Sequence, residues 1–222
     1  MCFSPQADLV GGIVVGAIGI DALRNVHRRH DHIALAMLPL LLGAHQVIEA
    51  FVWLGLQGHM PYDVERVAVW AYLLIAFVVL PIFMPLAVMS NEPLRRRRLA
   101  MAPLVALGVV VAGILFAAMV RGPVNVRLRP YHLAYGVDLS HGGVIVGLYV
   151  LAACGTLLLS SRRRIVTFGI INVVAVGVIA WLTIDGFASV WCGWAAITSG
   201  AIAVHMRVGR SQRVIPLDTS AV

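Results

Sequence analysis

The side chains able to do chemistry in this chain are few, and most cluster in two short segments. His45 and Glu49 stand four residues apart, with Gln46 beside the first and Trp53 four residues beyond the second. On a helix that spacing stacks His45, Glu49 and Trp53 along one face. Cys2 and Ser4 precede the first apolar run, Ser189, Trp191 and Cys192 open the last, and His132, His141 and Asp185 fall in connections. Cys2, His45, Glu49 and Cys192 together make a donor set of thiolate, imidazole and carboxylate suited to zinc or copper. A metal held there would lower the pKa of a bound water, with Glu49 as general base and candidate catalytic residue, which is the chemistry of a membrane-embedded metal-dependent hydrolase. Ser4, Gln46, Trp53, His132, Asp185, Ser189 and Trp191 would line the same pocket as ligand-binding residues.

Other readings of the same residues stand beside this one. Glu49 can be a structural carboxylate bonded to Ser, Trp or backbone donors, His45 a neutral partner between helices, and Cys192 a small buried hydrophobe. On an oxidising outer side, Cys2 and Cys192 could instead form a disulfide pinning the N-terminus over the bundle. A non-catalytic protein is the principal alternative: a receptor, assembly factor or transporter whose pocket takes a lipid or a quinone-like small molecule, with Glu49 carrying a proton or orienting it.

Composition narrows the field. With 60% hydrophobic and 12% charged residues, the chain has far more apolar surface than a soluble fold of its length can hide. All 17 basic residues are arginines. Without lysine there is no retinal or pyridoxal phosphate Schiff base and no Walker phosphate loop. The net charge of +7 sits in short gaps between apolar runs, which suits anionic lipid at a membrane surface and not nucleic acid. Three cysteines, with no CxxC spacing, make neither a disulfide framework nor a zinc ribbon.

The elements that must position these residues follow from hydropathy. Crossing about 30 Å of hydrocarbon takes roughly 20 apolar residues as a helix. Seven runs qualify, at about 7–24, 33–56, 66–89, 99–120, 142–160, 165–184 and 186–206, followed by a tail over 207–222. The expected fold is therefore all-α: one polytopic domain, a bundle of seven transmembrane helices. Thirteen arginines, among them Arg24, Arg95 to Arg98, Arg162 to Arg164 and Arg207, fall on one side, against Arg66, Arg121, Arg127 and Arg129 on the other. The positive-inside rule then puts the N-terminus outside and the C-terminus in the cytoplasm, as in a bacterial inner-membrane protein. The segment before the first run has no basic n-region, so that run reads as a span and not a removed signal peptide.

Within this frame Glu49 lies ~24 Å up the second span, and Ser189 and Cys192 lie within ~9 Å of the same outer edge on the last. Depth alone therefore groups the candidate residues in an outward-facing pocket. Gly12 and Gly16 have the small-xxx-small spacing that lets helices approach closely. Pro81 and Pro85 should kink the third span, and the connection 121–141 is long enough to carry function.

Three segments also carry a resemblance: Met1-Cys2-Phe3-Ser4, His45-Gln46-Val47-Ile48-Glu49-Ala50-Phe51-Val52-Trp53, and Ser189-Val190-Trp191-Cys192 running on through Gly193-Trp194-Ala195-Ala196. They are similar, in order and over essentially the whole chain, to a bacterial family of seven-helix membrane proteins of unknown function, which begin MCFS and carry QQxxEGxxW-like and SVWCFFAA-like helices. The resemblance implies the seven-span topology and carries over Cys2, Glu49, Trp53 and Cys192. It does not carry over His45, where many members have Gln, and Ala50 stands where they have Gly.

Overall fold

The computed structural model describes residues 4–24, 26, 33–129, 132–139, 141–182, 194, 198 and 200, and 81% of these are helical. Helices α1 (Pro5–Arg24) and α2 (Ile33–Leu56) lead into a single rod made of α3 (Tyr62–Leu73), a π-helical stretch (Leu74–Val79) and α4 (Leu80–Ser90). Then come α5 (Arg95–Arg121), strands β1 (Asn125–Leu128) and β2 (Leu133–Gly136), α6 (Gly142–Leu158) and α7 (Arg163–Leu182). Among the described residues four helices, Pro5–Arg24, Ile33–Leu56, Tyr62–Ser90 and Arg95–Arg121, are long and apolar enough to cross a membrane, which is compatible with a membrane protein. α6 is a shorter apolar helix, and of the expected seventh run only residues 194, 198 and 200 are described.

The all-α expectation needs one correction. Part of the 121–141 connection is an antiparallel hairpin, with Val126 opposite Tyr135 and Leu128 opposite Leu133. Its apolar residues alternate, Val124 and Val126 on one arm and Leu133, Tyr135 and Val137 on the other, and pack against the bundle. A period of two is a strand's signature.

α1 and α2 pack closely because their contact is built from glycine. A Cβ added at Gly12 would come within 2.8 Å of the Gly43 carbonyl, and one at Gly43 within 2.5 Å of the Gly16 nitrogen. Neither position admits a side chain. A Cβ at Gly16 itself would meet nothing within 4 Å, so Gly16 contributes its backbone and not an empty side-chain position.

The third rod answers its prolines with a change of helical register. The amide of Leu80 bonds to the carbonyl of Ile75, five residues back, so the next carbonyl, that of Ala76, would need the N–H of residue 81. Residue 81 is proline and has none. The hydroxyl of Tyr149, from α6, donates to the Ala76 carbonyl instead, at 3.0 Å. Gly108 of α5 lies against the Pro81 carbonyl so closely that a Cβ would collide with it.

At the opposite end from the hairpin, the α4–α5 and α6–α7 turns are tied together by a buried carboxylate. Glu92, 1% exposed, accepts from the Ser161 amide at 2.8 Å, the Leu94 amide at 3.1 Å and the Ser160 hydroxyl at 3.2 Å. Arg97 donates to the carbonyls of Leu159 and Ser160, at the open C-terminus of α6, and Arg98 to that of Glu92. Burial works against a charge on Glu92, but the donors from Ser161, Leu94 and Ser160 outweigh it and hold the carboxyl below its ordinary value. Arginines read as topology markers thus also close helix ends.

Candidate functional site

α2 places its polar residues as the spacing predicts. His45 and Gln46 are each 1% exposed, Glu49 is fully buried and Trp53 is 4% exposed, so all four face protein and not lipid. Gln46 lies on α1: a Cβ at Gly11 would sit 3.0 Å from its Oε1. One turn back from Gly11 along α1 is Asp8, also fully buried. The antiparallel register that sets Gly12 against Val47 brings Asp8 to within ~3 Å of the level of Glu49, since the two lie ~6 Å and ~3 Å beyond that contact toward the same end. Two acidic residues therefore lie buried at similar height. Asp8 stands in the first turn of α1, where the helix dipole favours a negative charge.

Towards the hairpin the site is aromatic. The His45 ring stacks on Tyr72 of α3 at a centroid separation of 4.0 Å, and Tyr72 stacks on Tyr135 of β2 at 4.3 Å. Three rings from three elements form one column. Trp53 belongs to the adjoining apolar cluster, with Val52, Tyr72, Met119 and Leu133. That cluster seats the hairpin on the ends of α2, α3 and α5.

Beside the column lies a cavity of about 280 Å³. Its walls are Ala76, Phe77 and Leu80 of the third rod, Leu115 of α5, Tyr135 to Val137 and Leu139 after the hairpin, and Ile145, Val146 and Tyr149 of α6. His45 is the buried polar side chain that reaches it from α2. The Nδ1 of His45 has no hydrogen-bond partner among the described residues, and such a buried group is an inducement for a ligand to supply one. The chemistry available here is binding and hydrogen bonding by an imidazole in an apolar recess, flanked by two tyrosines.

The remaining expected residues fall as follows. Ser4 caps α1, its hydroxyl accepting from the Ala7 amide at 3.2 Å. His132 stands at the hairpin turn, its Nε2 buried without a partner among the described residues, and does not line the cavity. Cys2, Asp185, Ser189, Trp191 and Cys192 lie outside the described residues. Among the described residues no three His, Cys, Asp or Glu side chains form a set able to hold a metal ion.

Asp8, Tyr72 and Tyr135 belong to the site region but not to the sequence-derived list. For Asp8 the signal was available: an acid in the first turn of an apolar run, three residues before Gly11. For the tyrosines it was not, because only the hairpin's return brings Tyr135 onto Tyr72. No curated protein and no solved structure matches the chain. A family match extends over residues 1–218, nearly the whole chain. The chain therefore belongs to the family of unknown function DUF6629.

Proposed function

We propose that this protein is a seven-span membrane protein of the bacterial inner membrane, N-terminus outside and C-terminus in the cytoplasm, that binds a small amphipathic molecule in the outer half of its bundle. The observation carrying this reading is the apolar cavity of about 280 Å³ reached by the buried imidazole of His45. Ligand pockets are mostly apolar with a few placed polar groups, and this cavity has that character. Val146, on its rim, is 44% exposed on the outer surface of α6. In a bilayer that surface meets acyl chains, so a lipid-like or quinone-like molecule can enter sideways.

The test is native mass spectrometry of the protein extracted in mild detergent. A bound lipid or quinone-like adduct is expected, at least about tenfold depleted in His45→Phe, which keeps an aromatic ring for the Tyr72 stack but removes the polar contact. Equal occupancy in the two proteins would remove the cavity from the account.

The metal-dependent reading, with Glu49 as general base, draws on the burial of Glu49 and His45 on α2 and depends on Cys2 and Cys192 as further ligands, since the described His, Asp and Glu side chains form no metal-holding set by themselves. Elemental analysis separates the two. Stoichiometric zinc or copper, lost in Cys192→Ala and in Glu49→Gln, would favour the metal site and a hydrolase over a binding protein.

A further inference from the structure

The hairpin has two faces, and the period of two divides its residues between them. Val126 and its cross-strand partner Tyr135 pack on the bundle. Asn125 and Arg127 belong to the other face, where the register sets them opposite Gly136 and Ala134. One rail of that face therefore carries long polar side chains and the other carries almost none. Between them is an open cleft of about 530 Å³, bordered by Asn125, Arg127 and Arg129 on one side, by Ala134 and Gly136 on the other, and by Asp138. A Cβ added at Gly136 would meet nothing nearer than the Asn125 carbonyl at 3.6 Å, so the space above the glycine is open and packing does not require it.

Arg127 and Arg129 are exposed, and neither guanidinium has a hydrogen-bond or ion-pair partner among the described residues. Two positions apart on an extended chain, their Cα atoms stand ~7 Å from each other. Both forks can therefore reach one anion lying in the cleft. A carboxylate has two oxygens, which a single fork occupies, whereas a terminal phosphate group has three and can accept from both. Two arginines against one aspartate leave the cleft positive. On the orientation proposed above, Arg127 and Arg129 are also two of four arginines on the outer side, where short loops keep few basic residues. Topology therefore does not account for a pair of them on one face. We infer that the outward face of the hairpin is a site for a terminal phosphate group, held by Arg127 and Arg129 over the gap left by Ala134 and Gly136. The site is separate from the cavity beside His45, and neither reading depends on the other.

Two probes carry the same group: glycerol 3-phosphate in solution, and phosphatidic acid as a lipid. Each is titrated into the purified full chain in neutral detergent, the first by isothermal titration calorimetry and the second by native mass spectrometry. Cytoplasmic arginines also attract anions, so the quantity read is the difference between wild type and the hairpin variants. Arg127→Gln/Arg129→Gln should lose one phosphate-dependent binding event, its affinity falling at least about tenfold, and lysine at both positions should restore part of it. Ala134→Glu keeps both arginines but sets a carboxylate directly opposite Arg127, and should weaken binding by a similar factor. Asp138→Asn, which removes the acid at the cleft's border, should strengthen binding about twofold.

If glycerol 3-phosphate binds as tightly as phosphatidic acid, the occupant is a soluble phosphate compound; if the lipid is preferred, it is a headgroup, and either result supports the site. The inference is overturned if both probes bind the double glutamine variant as well as wild type, if Ala134→Glu has no effect, or if Asp138→Asn weakens binding. Acetate binding as strongly as glycerol 3-phosphate would remove the part played by phosphate. Failure of wild type to bind either probe would overturn the inference too, leaving the two arginines to solvent or to an acidic partner, with the cavity reading untouched.

Discussion

His45 and Glu92 are both polar side chains removed from water, and they differ in what meets them. Glu92 has three donors from protein groups, whereas Nδ1 of His45 has no hydrogen-bond partner among the described residues, and on the proposed function that difference separates a structural role from a binding one. Glu92→Gln should lower stability by about 1–3 kcal/mol near neutral pH, because hydrogen bonds to a charged acceptor weaken and one amide N–H must find a new partner. The sign with pH follows from the lowered folded value. The carboxyl's contribution is complete above its ordinary, unfolded pKa and is lost as pH falls through the folded one. Thermal melts in detergent should therefore show a gap between wild type and Glu92→Gln that is constant near neutral pH and closes as pH falls below the ordinary carboxylate range. A gap that widened in acid would contradict the assignment. Tyr149→Phe should cost about 1–3 kcal/mol by orphaning the Ala76 carbonyl, with no dependence on pH in that range. The sequence marked His45 and Glu49 through their spacing. It gave Glu92 no distinction from any other loop acid, since its donors come from Ser160 and Ser161, which lie 68 and 69 residues along the chain.

Among the elements, the α1–α2 pair gives the clearest contrast. Gly12 and Gly16 carry the same motif in the sequence, yet a side chain at Gly12 or Gly43 has no room, while one at Gly16 points into open space. Gly43→Leu should drive the helices apart and abolish a monodisperse peak in size-exclusion chromatography. Gly16→Ala should leave that peak intact and the melting temperature unchanged or slightly raised, since alanine is the better helix former. Equal damage from both substitutions would mean that the helices do not meet as described. The prolines illustrate the same lesson. Pro81 announced a disturbed helix, but the form it takes, a π-helical stretch whose open carbonyl is satisfied by α6, depends on a tyrosine 73 residues beyond the Ala76 carbonyl that it satisfies. The hairpin was readable in principle from alternating valines and aromatics. Its membership of an otherwise apolar helical chain, and a polar loop of about twenty residues, masked the period of two.

For the whole molecule, the ends of the bundle differ in charge as the arginine count requires. Arg24, Arg95 to Arg98 and Arg162 to Arg164 gather where Glu92 binds the two turns, and the hairpin occupies the other end. The proposed orientation predicts that a thiol introduced by His59→Cys is labelled by a membrane-impermeant maleimide from outside intact cells, and that one introduced by Ser161→Cys is labelled only after lysis. The reverse pattern would invert the topology. Composition and periodicity sufficed to establish that apolar helices make up most of the described chain and which α2 residues turn inward, because those properties depend on neighbours three and four residues apart; helix starts such as Tyr62 and Arg95 lie up to four residues from the apolar runs. Which side chains meet depended on the tertiary structure: Tyr72 on His45 and Tyr135 on Tyr72, Tyr149 on a stranded carbonyl, and Glu92 beneath Ser161. Those contacts join residues remote in sequence, and no local pattern encodes a distance that only packing of the helices creates.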